Sequence, residues 1–211
     1  MEIEGARVVV AGATGEFGGT LARELAAAGA EVGVMGRDRD RLARIADELD
    51  APSARFDTAD PDSCRRAVDA LAAALGGLDA FAVTAGVAAF GEAGELDSET
   101  IHALFAANAT GPIALIDEAL GHLENDGAVV ALSAYVTALR RERRKQGLTV
   151  LDVRPPHMDT AFAERALTGS PPPLPEPLDH HDVVSAVIAA LREGRREVAW
   201  DLKGKELVTR G

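Results

Sequence analysis

The chain has 211 residues, enough to fill one substantial hydrophobic core, and 34 Asp and Glu against 22 Lys and Arg give it a formal net charge of −12. That charge argues against general binding to nucleic acid or to an anionic membrane, whose phosphates it would repel. The single cysteine, Cys64, excludes an internal disulfide framework or cysteine metal site, and no apolar run reaches the ~18 residues of a membrane span. The N-terminal MEIEG has neither a basic segment nor an apolar one, so a cytoplasmic protein is expected.

Residues 7–37 read as strand, glycine turn, helix and second strand. Arg7–Ala11 is a β-branched apolar run, helix formers extend from Thr20 to Ala28, Gly29 stops the helix, and Glu31–Met35 is apolar again. Gly12, Gly15 and Gly18 follow the first strand at three-residue spacing. A glycine triplet alone is a weak signal, but between a strand and a helix it is the dinucleotide-binding arrangement. Gly12 makes the tight turn, Gly15 lets the backbone approach a pyrophosphate, and Gly18 lets helix and strand pack closely. N–H groups at the helix start then face the phosphates. Thr14, Glu16 and Phe17 lie within this turn and count with the glycines as candidate cofactor contacts.

The tip of the second strand is where a dinucleotide's ribose is read. An acid there favours NAD, and a basic residue accommodates the 2′-phosphate of NADP. Gly36 is not an acid, and Arg37 carries a guanidinium suited to phosphate, so NADP is the expected cofactor. NAD remains open, because Asp38 could bind a ribose diol and Glu16 adds negative charge to the turn.

An amphipathic helix is predicted over Arg39–Leu49, a short strand over Ala54–Phe56, and a helix from Asp60-Pro61 to about Ala74, ended by Gly76-Gly77. Ala80–Thr84 reads as a fourth strand. Asp97 caps the next helix, which carries Ile101, Leu104, Phe105 and Asn108 on a continuing apolar stripe. Gly111-Pro112 is a kink site, after which the helix resumes over Ile113–Leu123. Asn108 is either a satisfied structural amide or a group that holds a catalytic water or backbone. Ala128–Leu132 is the fifth strand and Leu148–Val153 the sixth, with a basic helix over Tyr135–Gln146 between them. Residues 168–181, TGSPPPLPEPLDHH, read as a mobile lid or an ordered polyproline excursion, not a domain linker. His180 and His181 are expected as solvated surface residues, with no metal site. Asp182 caps a final helix to Arg192, and Glu197–Trp200 is a seventh strand. The alternation predicts one α/β domain over residues 1–211. Its three-layer, doubly wound parallel sheet has about seven strands, with helices on both faces. Ligands of such sheets sit at the carboxyl ends of the strands, near Ser133, Pro155 and Thr160.

The chain resembles the short-chain dehydrogenase/reductase family. The pieces that carry this are AGATGEFG in the glycine turn, FDTAD after the third strand, VTAG after the fourth, NATG around Asn108, VVALS in the fifth strand, and RPPHMDT after the sixth. Together, in order, they are far more specific than any one alone. The resemblance implies an NAD(P)-dependent oxidoreductase acting between a small alcohol and its carbonyl, assembled as a homodimer or homotetramer. It places adenine near Asp57 and Thr58, the nicotinamide ribose near Ala85 and Gly86, and the nicotinamide amide near Met158 and Thr160. Asn108 becomes the polar helper of a proton relay, and Ser133 the hydroxyl that hydrogen-bonds the substrate oxygen.

The departures are as informative. Glu16 stands where many members have glycine, Val83-Thr84-Ala85-Gly86 replaces Asn-Asn-Ala-Gly, and Pro155-Pro156 replaces Pro-Gly. Ala134 competes with Ser133 for the serine position. The family's Tyr-x-x-x-Lys is absent, since four residues after Tyr135, the sole tyrosine, stands Leu139. YVTALRRERRKQGLTVLDVRP resembles the second half of the family's active-site helix, and its first half is lacking between Ala134 and Tyr135. The oxidoreductase reading depends on that segment belonging to the protein. Without it the alternative is a catalytically silent dinucleotide-binding sensor or partner-binding module. A sugar-nucleotide epimerase fits less well, because the chain is short for the larger substrate domain of those enzymes.

Overall fold

A computed structural model describes residues 1–92, 94–131, 139, 145 and 147–211, with backbone alone at 124 and 125. Ser133, and all of the helix predicted over Tyr135–Gln146 except Leu139 and Lys145, lie outside the described residues. The element order is β1 (Arg7–Ala11), α1 (Glu16–Ala27), β2 (Glu31–Gly36), α2 (Arg39–Leu49), β3 (Ser53–Arg55), α3 (Pro61–Leu75) and β4 (Leu78–Val83). There follow α4 (Ser98–Phe105), a π-helical turn (Ala106–Thr110), α5 (Gly111–His122), β5 (Leu123–Ala131), β6 (Thr149–Arg154), α6 (His180–Arg192), β7 (Glu197–Asp201) and β8 (Glu206–Arg210).

The strands form one sheet in the order β3-β2-β1-β4-β5-β6-β7-β8. The first seven are parallel, and β8 pairs antiparallel with β7. The expected doubly wound α/β fold is therefore present, extended by a terminal hairpin. β1 reads as an unbroken apolar run because both of its faces are covered. Val8 and Val10 pack with Leu21 and Leu25 of α1, Ile45 of α2 and Val187 of α6. Val9 and Ala11 face the opposite layer, with Leu71 of α3 and Leu115 of α5. The strand order reverses between β1 and β4, which opens a crevice beyond their carboxyl ends.

Several local expectations are corrected. α1 begins at Glu16, four residues earlier than Thr20, because Gly18 and Gly19 are helical and buried. Asp179, not Asp182, caps α6, its carboxylate accepting the His181 N–H at 2.8 Å. The irregularity expected at Gly111-Pro112 falls one turn earlier, in the π-helical turn centred on Asn108. The α4 stripe does not reach the core, for Phe105 is 64% exposed and Ile101 39%. Strand β5 starts at Leu123, not Ala128, with a register shift between Leu78 and Ala80 of β4. Cys64 is fully buried, and burial followed by the nearby Asp57 and Asp60 charges pushes its thiol up to about 11, so it is unreactive at neutral pH.

The amino ends of β1 and β4 are tied by Arg7 and Asp79. The guanidinium donates to both carboxylate oxygens at 2.8 and 2.7 Å, and the Arg7 N–H donates to Oδ2 at 2.9 Å. These bonds, the guanidinium's foremost, hold the Asp79 carboxyl below the usual carboxylate range. A depressed folded pKa stabilises the protein above the unfolded value near 3.9 and is lost as pH falls through the folded value. Asp79→Asn is expected to lower unfolding stability by about 1–2 kcal/mol at pH 7. Urea unfolding should show the deficit unchanged down to pH 5 and shrinking only below about pH 4.

Candidate functional site

The crevice is a cavity of about 670 Å³, within the range of small-molecule sites. Its floor is the glycine turn. Gly12 has a φ of +102°, a left-handed conformation that disfavours side chains. The Gly12 and Ala13 N–H groups both donate to the Met35 carbonyl, which folds the turn over β2. A Cβ at Gly18 would run into the Gly12 carbonyl oxygen and the Thr84 hydroxyl. A Cβ at Gly15 would touch only the Gly12 oxygen, at 3.4 Å. No side chain caps α1 at Gly15, which leaves first-turn N–H groups facing the cavity.

At the β2 tip, a Cβ on Gly36 would overlap the Thr14 side chain, so no acid fits there. Asp38 is committed to capping α2, its Oδ1 accepting the Asp40 and Arg41 N–H groups at 3.1 and 3.0 Å. The Arg41 bond is the foremost cause of its carboxyl lying below the usual range. Arg37 and Arg41 both line the cavity, and among the described residues the Arg37 guanidinium makes no ion pair or hydrogen bond. This corner is cationic in a protein that is strongly anionic overall.

The β4 end contributes Thr84, Ala85, Gly86 and Val87. Thr84 donates from its hydroxyl to the Ala11 carbonyl at 3.0 Å and so links β4 to β1. Asn108 joins both faces of one peptide segment. Its Oδ1 accepts the Val87 N–H at 3.0 Å, and its Nδ2 donates to the Val87 carbonyl at 2.9 Å. The amide therefore positions the backbone that carries Ala85 and Gly86 into the wall. Thr58 lines the cavity, but Asp57 does not, and the Asp57 carboxylate accepts the Ala59 N–H at 3.0 Å.

The opposite wall follows β6, with Pro155, Pro156, His157, Met158, Thr160 and Phe162. Glu16 crosses to this wall, where its Oε2 accepts the Ala161 N–H at 3.0 Å and its Oε1 lies 3.8 Å from Arg165 Nη1. The proline-rich loop is anchored at both ends: the Phe90 N–H donates to the Thr168 carbonyl and the Leu178 N–H to the His157 carbonyl. His180 is not a solvated residue. Its side chain is 14% exposed, with Nδ1 2.7 Å from Asp159 Oδ1 and Nε2 3.1 Å from Thr20 Oγ1.

The cavity thus brings together Gly12, Thr14, Gly15, Glu16, Phe17, Gly18, Arg37, Thr58, Ala85, Gly86, Asn108, Pro155, Met158 and Thr160. Asp57 stands outside it. Sequence reasoning missed Arg41, Thr84 and Arg165. Arg41 was signalled by its place in the first turn of the helix that follows Arg37, whereas nothing local marks Arg165.

A short chain dehydrogenase family model matches residues 6–136. Over 138 residues, 63% of this chain, it is 28% identical to the short chain dehydrogenase mdpC of Emericella nidulans, and the match spans 52% of that protein, about half its length. It is 27% identical to the cyclic-di-GMP-binding biofilm dispersal mediator protein of Escherichia coli (strain K12), covering 96% of this chain and 91% of that one. That alignment is 231 positions long, more than the chain itself, so the Escherichia coli protein carries residues that this one lacks. Among solved structures, a short chain dehydrogenase from Burkholderia cenocepacia J2315 in complex with NADP superposes with a TM-score of 0.79 at 25% identity, covering 90% of this chain and 92% of that one.

The glycine contacts predict a sharp contrast. Gly18→Ala should cost about 2 kcal/mol or more in chemical denaturation, because backbone and a hydrogen-bonded, partly buried hydroxyl must move. Gly15→Ala should stay within about 1 kcal/mol of the parent, since its Cβ meets only one ordinary contact.

Proposed function

The chain belongs to the short chain dehydrogenase family, and from that membership and the cleft's geometry we propose that it binds NADP(H) and acts as an oxidoreductase between a small alcohol and its carbonyl. One observation carries the cofactor choice: the β2 tip has no room for an acid at Gly36, Asp38 is tied to capping α2, and Arg37 and Arg41 stand at the cavity. A 2′-phosphate meets two guanidinium groups there, whereas the carboxylate at this corner, Asp38, is engaged by the α2 N–H groups through Oδ1 and lies 3.7 Å from the Arg41 guanidinium through Oδ2.

The rest of the cleft fits a dinucleotide. The uncapped start of α1 and Gly15 form a cradle for the diphosphate, Thr58 lies toward the adenine, and Ala85, Gly86, Pro155, Met158 and Thr160 hold the nicotinamide half. Bound NADPH would supply the hydride. The chain's own task is to orient that donor, exclude water and manage a proton. Asn108 fixes the Val87 backbone, and through it the ribose wall. Among the described cavity residues His157 carries the one imidazole, a group able to hand a proton to a substrate oxygen.

A second reading is favoured by a specific observation, the lack of Tyr-x-x-x-Lys in the 211 residues. It makes the protein a dinucleotide-binding module without turnover. The Escherichia coli relative, whose name describes binding to cyclic-di-GMP, supports keeping this reading beside the first.

Fluorescence titration with NADPH and NADH, followed by NADPH oxidation against a panel of aldehydes and ketones, separates the two. Oxidation of NADPH supports the enzyme, and tight binding without oxidation supports the silent module. In either case Arg37→Ala should weaken NADPH binding about tenfold, a loss of roughly 1.4 kcal/mol, and leave NADH binding within twofold. Equal loss for both cofactors would remove Arg37 from the 2′-phosphate site.

A further inference from the structure

We propose that Arg165, held by Glu16, binds the diphosphate of the dinucleotide from the wall opposite the glycine turn; this rests on the NADP(H) reading above. Glu16 opens α1, so its carboxylate lies beside the N–H groups that would receive the phosphates. A bare carboxylate at that point repels a diphosphate. Here neither oxygen is bare, because one accepts the Ala161 N–H and the other faces the Arg165 guanidinium.

Both partners belong to one helical turn. The Arg165 N–H donates to the Ala161 carbonyl at 3.2 Å, so the Glu16 carboxylate sits at the amino end of that turn and in reach of its last side chain. The contact joins residues 145 positions apart across the cavity. Glu16 and Arg165 both line the cavity, beside Gly15 and Phe17. At 3.8 Å the pair is ionic and not a close hydrogen bond, and among the described residues the guanidinium makes no other polar contact. Its N–H donors therefore remain available to a second anion, which a planar guanidinium can take while still facing the carboxylate. Glu16 is the positioning residue and Arg165 the ligand-binding one, and the pair offsets the negative charge that departs from the usual glycine.

The test uses three probes with the full chain. NADP and 2′-phospho-ADP-ribose carry a diphosphate, while adenosine 2′-monophosphate does not. Arg165→Gln is expected to weaken the first two about tenfold, to leave the third within twofold, and to lower the salt dependence of NADP binding. Arg165→Lys should fall between, keeping charge without the planar fork. Adding Glu16→Gln to Arg165→Gln should recover part of the lost affinity, because the unneutralised carboxylate is then removed. Equal weakening of all three probes, or none, overturns the assignment. A parent protein that binds none of the three removes the NADP(H) reading itself, an outcome distinct from normal parent binding that Arg165→Gln does not alter.

Discussion

Gly18 approaches the Gly12 carbonyl and the Thr84 hydroxyl so closely that no side chain fits between them. This contact seats α1 against the turn that follows β1 and against the end of β4, the two strands between which the sheet reverses. Thr84 completes the joint by donating to the Ala11 carbonyl. With α1 so placed, its amino end opens onto the crevice, and Gly15 faces space instead of protein.

Charge is arranged against the protein's average. The chain carries a net −12, yet the cavity's β2 corner holds Arg37 and Arg41, and its acids are already occupied. Asp38 accepts backbone N–H groups at the start of α2, and Glu16 faces a backbone N–H and a guanidinium. Carboxylates satisfied in this way lose much of their power to repel an incoming anion. A surface of one sign can therefore enclose a site of the other, which net charge alone does not reveal.

The alternation of strands and helices and the glycine turn were legible in the sequence because their signals are local. β1, β2 and β4 are short apolar runs, and glycines and Asp60-Pro61 mark where turns end and helices begin. What could not be read depends on distant partners. Gly18 and Gly19 are poor helix formers by composition, yet both lie in α1, packed against the Gly12 and Ala13 carbonyls of the turn. His180 looks like a surface histidine, yet its partner Thr20 is 160 residues away. Asp179 and Asp182 are equivalent caps by composition, and the hydrogen bonds of His180 to Asp159 select the first. β8 is half-exposed, so it lacks the hydrophobic alternation of a buried strand and exists through its pairing with β7. Asn108 had two open readings, and its amide proves to be bound to the Val87 backbone.

The β7–β8 hairpin has a further effect on the sheet as a whole. A row of parallel strands ends in unpaired N–H and carbonyl groups that invite a neighbour's strand. Here one end of the row is β3, only three residues long, and the other is β8, reversed in direction, preceded by Lys205 and ending in Arg210. Arg210 folds back toward Glu197 of β7 at 3.4 Å, which sets a charged side chain along that border. Neither border offers a long, flat, apolar template. The same few residues that complete the fold thus also leave the sheet without a long apolar edge strand.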